Sequence, residues 1–157
     1  MVIILAILEC GINLGGRNIF EIKFYTDTKN PLDADLRAGF LTALESFTSE
    51  IFNDDINVVS LASFKMVCYT EIIRLPIPKE ENNPQTLIYY AIIEKETETD
   101  IVKKQLKKIS NHFLNRFPLN DIFTKKKQYF NKKFSSRVSE VLGDLKLKTE
   151  DRFRSIF

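Results

Sequence analysis

Two uninterrupted apolar runs restrict most strongly what this chain can fold into. Residues 2–8 and 87–93 are rich in Ile and Leu and contain no charged side chain. A strand with polar residues at alternate positions can face water on one side, but these two runs are apolar on both faces. They therefore predict two central strands in a sheet that is covered on both sides.

Three further segments have strand patterns. Residues 18–25 alternate between apolar and charged side chains, which places this strand nearer an edge of the sheet. Residues 56–62 and 66–75 are separated by a short link, which suits a hairpin. The glycines between the first two strands are interpreted as turn residues: Gly11, Gly15 and Gly16.

Three other segments carry apolar side chains every three or four residues, as amphipathic helices do. The first covers residues 36–51, the second runs from Thr97 or Thr99 to Phe117, and the third covers residues 128–146. The second should bury Val102, Leu106, Ile109, Phe113 and Phe117, and the third should bury Phe130, Phe134, Val138, Val141 and Leu145.

These elements together predict an α+β domain. Its sheet has five strands, is mainly antiparallel, and carries one helix on one face and two helices on the other. Residues 1–146 form the domain, and residues 147–157 form a C-terminal tail that either frays or binds a partner. Pro118 is expected to end the second helix, because proline lacks the backbone N–H and clashes with the preceding turn.

The composition restricts the class of protein further. No apolar run approaches the roughly 18 residues of a membrane-spanning helix, and the opening segment lacks a basic leader, so we expect a soluble, cytoplasmic protein. Cys10 and Cys68, the only cysteines, lie in apolar sequence without metal-ligand spacing, which indicates buried free thiols. His112 is the only histidine and has no partners in a catalytic pattern. We predict no catalytic residue, no cofactor and no metal.

Charge is segregated along the chain, although the formal net charge is only +2. Residues 103–137 contain 11 basic residues and one acidic residue. One interpretation is a solvated helical face, and the other is peripheral contact with anionic lipid, since each well-placed lysine adds about 1 kcal/mol. The candidate lipid contacts are Lys103, Lys107, Lys125, Lys126 and Lys127. Nucleic acid is not an expected partner, because no recognition motif accompanies the lysines.

The order of the elements also points to a family. The segments that carry the likeness are residues 3–8 leading into Gly11, then residues 16–20, 39–47, 56–61 and 87–93. In pattern and order they resemble the longin domain, a profilin-like module of trafficking and GTPase-associated proteins that is related to the roadblock module. The resemblance extends over residues 1 to about 145.

The resemblance implies a non-catalytic protein-interaction module in membrane trafficking or small-GTPase regulation, acting as a tethering, adaptor or GTPase-associated subunit. Its partner would be a small GTPase, a SNARE or another longin or roadblock subunit, in a homodimer or heterodimer. Candidate contacts are apolar residues that no helical stripe accounts for: Leu41, Phe153, Ile156 and Phe157. The alternative is a small-molecule sensor of the GAF or PAS type, with a ligand between sheet and helix.

Overall fold

The computed structural model of the chain describes residues 7–24, 58–60, 64–74, 84–94 and 97–143. Three predicted features lie outside these residues: most of the strand over 2–8, the helix over 36–51 and the tail over 147–157. The described residues form an α+β structure, as predicted, and its strands are antiparallel.

Four long strands and one short strand make up the sheet. They are β1 (Ile7–Leu14), β2 (Arg17–Lys23), β3 (Val58–Ser60), β4 (Phe64–Ile73) and β5 (Gln85–Glu94). Their spatial order is β2-β1-β5-β4-β3, so β5 has a partner on each side and β2 lies at an edge. The predicted central position of the run over 87–93, the edge position of β2 and the β3–β4 hairpin are all confirmed.

The predicted boundary of β1 is wrong. The sequence pattern ended the first strand at residue 8 and placed Gly11 in a turn, but β1 continues to residue 14 with Gly11 inside it, opposite Tyr90 of β5. The Tyr90 ring occupies the space that a Cβ on Gly11 would need. Gly11 therefore allows close packing within the sheet, whereas Gly15 and Gly16, with φ of 54° and 78°, do form the β1–β2 turn.

The pairing of β1 with β2 contains a β-bulge. Ile12 pairs with Phe20 and Asn13 pairs with Asn18, which leaves Ile19 as the extra residue. The side-chain amide of Asn18 donates hydrogen bonds to Asn13 Oδ1 at 2.8 Å and to the Phe20 carbonyl at 3.1 Å. This amide fixes the irregular part of the hairpin.

Three helices follow the sheet within the described residues: α1 (Thr99–Arg116), α2 (Leu119–Thr124) and α3 (Lys127–Leu142). Pro118 ends α1 as predicted, but it is also the N-cap residue of α2, a short helix that the sequence pattern did not predict. A proline at a helix start loses nothing, because the first N–H groups of a helix have no partner within it. Gly143, with φ of 53°, caps α3.

Helices α1 and α3 pack on the same face of the sheet, α1 against β4 and β5 and α3 against β2. The ring of Phe113 on α1 lies 6.2 Å from Tyr89 of β5 and 5.3 Å from Phe134 of α3, measured between centroids. Phe134 in turn lies 5.5 Å from Phe20 of β2. These rings join both helices to the sheet in one core.

The predicted apolar stripe of α1 is buried at all five positions. The stripe of α3 is buried at Phe130, Phe134 and Val138, but Val141 is only half-buried and Leu142 takes its place in the core. The fifth position of that stripe, Leu145, lies outside the described residues. The prediction for α3 is therefore wrong in its last turn. The predicted stripe steps three residues from Val138 to Val141, whereas the buried stripe steps four residues to Leu142.

The opposite face of the sheet is buried as well. Because Tyr89 points toward α1, alternation places Ile88, Tyr90 and Ile92 on the other side, and each is at most 1% exposed. The central strand is thus enclosed on both faces, as its apolar sequence requires.

Candidate functional site

The five lysines predicted to contact lipid do not form one patch. Lys103 and Lys107 lie one turn apart near the start of α1, while Lys125, Lys126 and Lys127 lie at the junction of α2 and α3. That junction packs near the end of α1, since the centroids of the Phe117 and Tyr129 rings are 6.0 Å apart. At 1.5 Å per residue, the two groups are separated by about 20 Å along α1.

Two of these lysines also have partners within the chain. Lys127 Nζ donates to Glu21 Oε2 at 2.6 Å, which ties the start of α3 to β2. Lys125 Nζ lies 5.4 Å from the centroid of the Tyr129 ring. Glu21 lies on β2, and Tyr129 lies on the helix that follows Lys125. The sequence alone therefore could not show either contact.

Two hydrogen bonds connect β2, at the edge of the sheet, to the segment that includes α2 and α3. Asn131 Oδ1 accepts a hydrogen bond from the backbone N–H of Glu21 at 3.0 Å. At the start of β2, the Arg17 guanidinium donates to the Phe123 carbonyl at 3.4 Å. An edge strand can pair with other chains through its unpaired N–H and C=O groups, and the Asn131 hydrogen bond occupies one of those groups. The candidate partner contacts lie outside the described residues: Leu41, Phe153, Ile156 and Phe157.

A polar cleft lies between α1 and α3, and we call it the α1–α3 cleft. It has a volume of about 490 Å³ and is lined by His112, Asn115 and Arg116 of α1 and by Arg137 of α3. His112 and Arg116 share one flank of α1 because they are four residues apart. His112, for which the sequence showed no catalytic partners, is exposed at the cleft.

The cleft is electropositive. Arg116 makes no ion pair with any residue of the described ranges, and its guanidinium carbon lies 5.6 Å from the centroid of the Phe117 ring. Within the described ranges, Arg137 pairs with Glu140 at 3.6 Å, and the Glu140 side chain is 72% exposed. Two guanidinium groups, an imidazole and an amide can together bind an anion. No sequence pattern groups these residues, because they come from two helices whose pairing only the fold reveals.

The thiols are buried, as predicted, and neither is in a disulfide. Burial raises the pKa of Cys10 to about 12, with a further contribution from the neighbouring Glu9 carboxylate. Burial also raises the pKa of Cys68 to about 12. A thiol with so high a pKa holds almost no thiolate at neutral pH, which is the form that attacks electrophiles or binds metal.

Burial raises the pKa of a third group, the Tyr89 hydroxyl, which lies beside Ser110 under α1. In the described part of the chain, no cluster of three His, Cys, Asp or Glu side chains could hold a metal ion. No helix within those same ranges combines the length and apolar composition needed to cross a membrane.

Comparison with known proteins identifies no relative: no family model, no curated protein and no solved structure matches the chain. Its function is therefore inferred from its own residues, of which the buried sheet, the β2 edge and the α1–α3 cleft are the informative parts.

Proposed function

We propose that the chain is a non-catalytic interaction module of the longin type, acting as a tethering, adaptor or GTPase-associated subunit in membrane trafficking or small-GTPase regulation. The observation that supports the proposal is the antiparallel sheet with its central strand β5 buried on both faces and with α1 and α3 packed together on one face. The resemblance implies an α+β fold with an antiparallel sheet, and the described residues agree with it at that level.

The structure also bears on where a partner would bind. At the β2 edge, the Glu21 N–H is already bonded to Asn131, and the Glu21 carboxylate is paired with Lys127. Strand addition at this edge would have to displace those contacts. We therefore place the partner surface on the predicted first helix around Leu41 and on the apolar tail.

The proposal is tested by affinity capture from cells, using the full chain and identifying partners by mass spectrometry. Leu41→Ser removes the proposed contact, and Ile72→Ser is the matched control, since Ile72 is 59% exposed on β4. We expect the wild-type chain and the control to retain a small GTPase, a SNARE or a second longin or roadblock subunit, and Leu41→Ser to lose it. Equal capture by both variants, or partners of unrelated classes, would contradict the proposal.

The oligomeric state provides an independent measurement. Light scattering should give a mass above the 18.3 kDa of one chain if the partner is a second copy. A mass near 18.3 kDa at tens of micromolar would leave only the heterodimer. Removal of residues 147–157 should then weaken partner binding, and unchanged binding would exclude Phe153, Ile156 and Phe157 from the interface.

Peripheral membrane contact is a separate part of the proposal. Lys103, Lys107, Lys125 and Lys126 would provide it, while Lys127 is occupied by its ion pair with Glu21. Binding to anionic vesicles should weaken as salt rises, because screening shortens the reach of exposed charges. Sedimentation with vesicles that is independent of salt would rule out this contact.

A further inference from the structure

We propose that the α1–α3 cleft is a binding site for a phosphomonoester group, carried either by a lipid headgroup or by a soluble molecule. The site is distinct from the lysines considered above, and its four lining residues were not grouped by any sequence pattern. It does not depend on the identity of the protein partner.

The donors of the cleft match the chemistry of a phosphate dianion. Each guanidinium presents a planar set of N–H groups that can bond two phosphate oxygens at once. Because Arg116 and Arg137 come from different helices, they reach the cleft from two sides. His112 and Asn115 add N–H donors along the α1 side. A phosphomonoester has three terminal oxygens and nearly two negative charges, so it suits two guanidinium groups better than a singly charged carboxylate does.

The helices that hold these donors are fixed by aromatic packing. The Phe113 and Phe117 rings lie 5.3 Å and 5.7 Å from Phe134, and all three side chains are buried. His112 and Arg116, which line the cleft, directly precede the core residues Phe113 and Phe117 in sequence. The core therefore fixes the backbone positions of Arg116 and Arg137 relative to each other before a ligand arrives, so only their side chains must be ordered on binding.

Size and charge agree with this ligand. A volume of about 490 Å³ falls within the usual range for small-ligand sites, roughly 300–1,000 Å³. Lys108 lies four residues before His112, so α1 carries one more cation on the same flank. The Lys133 ammonium lies 4.8 Å from the centroid of the Tyr129 ring and is not counted with the cleft. Glu140, the carboxylate paired with Arg137 in the described residues, is exposed, and exposed ion pairs are weak enough for a dianion to displace.

The test compares two variants that each remove two positive charges from the full chain. Arg116→Gln with Arg137→Gln removes the guanidinium groups of the cleft. The control, Arg74→Gln with Lys132→Gln, removes two exposed cations that neither line the cleft nor belong to the proposed lipid contacts. Inositol trisphosphate, followed by calorimetry at physiological salt, probes soluble phosphate. Vesicles with a phosphoinositide monophosphate, compared with charge-matched phosphatidylserine vesicles, probe the lipid source.

We expect the arginine variant to bind at least about tenfold more weakly, the loss of about 1.4 kcal/mol or more. The control variant should stay within about twofold of the wild type, since distant exposed charges are screened. Binding of inositol trisphosphate without any preference for phosphoinositide over phosphatidylserine vesicles would identify a soluble ligand. Binding only to the phosphoinositide vesicles would identify a lipid headgroup. Equal losses in both variants, or no preference of the wild type for phosphomonoesters, would overturn the proposal.

A second measurement does not depend on how the variants fold. Inositol trisphosphate added to the wild-type chain should shift the backbone amide resonances of His112, Asn115, Arg116 and Arg137 in NMR spectra. Shifts confined to Lys125, Lys126 and their neighbours would place the anion elsewhere and contradict the assignment.

Discussion

The side chain of Asn131 on α3 accepts a hydrogen bond of 3.0 Å from the backbone N–H of Glu21 on β2. A helix side chain thus satisfies a backbone donor at the edge of the sheet. Asn131→Ala should lower the free energy of unfolding by about 1 kcal/mol, the net value of one hydrogen bond. Urea unfolding measures this loss. Asn131→Asp keeps an acceptor oxygen and should lose less; equal losses would show that the bond contributes nothing.

Gly11→Ala should destabilise the sheet, because the added Cβ would collide with the ring of Tyr90. Overpacking of this kind costs about 1–3 kcal/mol. Tyr90→Leu removes the ring, so the double variant should lose less than the sum of the two single variants, with a coupling of about 1 kcal/mol or more. Thermal unfolding of all four chains completes the cycle. Strictly additive losses would mean that strain at Gly11 has another source.

Leu106→Ala should cost about 2–5 kcal/mol, because Leu106 is fully buried between α1 and the sheet. His112→Gln, on the same helix but exposed, should change stability by no more than about 0.5 kcal/mol. The contrast is measured by denaturant unfolding of the two variants. Similar losses would mean that the face of α1 that packs on the sheet is misassigned.

The two buried thiols should make the protein less stable in alkali. The ordinary pKa is 9.0, while Cys10 and Cys68 in the folded chain have values of about 12. Above pH 9 the unfolded chain therefore releases protons that the folded chain keeps, so stability falls as pH rises and is unaffected below that range. The slope is at most about 1.4 kcal/mol per pH unit for each thiol.

Urea unfolding between about pH 8 and about pH 10 measures this slope. Cys10→Ala and Cys68→Ala should each remove part of it. A slope that is the same in the wild type and in both variants would assign the alkaline loss to other groups.

The centre of the sheet could be predicted from the sequence because its cause is local. A run such as residues 87–93 has no polar face, so only a central position buries it. The end of β1 could not be predicted in the same way. Glycine is typical of turns, so the sequence places Gly11 in one. Its pairing with Tyr90, almost 80 residues later in the chain, shows that it lies within a strand.

The α1–α3 cleft could not be predicted from the sequence either, because it depends on how two helices pack. The i,i+4 spacing of His112 and Arg116 is visible in the sequence, but the position of Arg137 opposite them depends on how α3 returns along α1. That return is directed by Pro118 and the short helix α2, which the rule that proline ends a helix does not predict. Helix faces were thus predictable, and the clefts between helices were not.

The central position of β5 has a consequence for how the chain acquires its structure during synthesis. The β1–β2 and β3–β4 hairpins are both made earlier than β5, yet β5 is the strand that joins them. Until residue 94 has left the ribosome, the inner edges of β1 and β4 have no partner and can pair with other nascent chains. A chaperone that binds extended apolar segments would be needed most in this interval, and a transcript truncated before β5 would yield aggregates in place of a smaller folded unit.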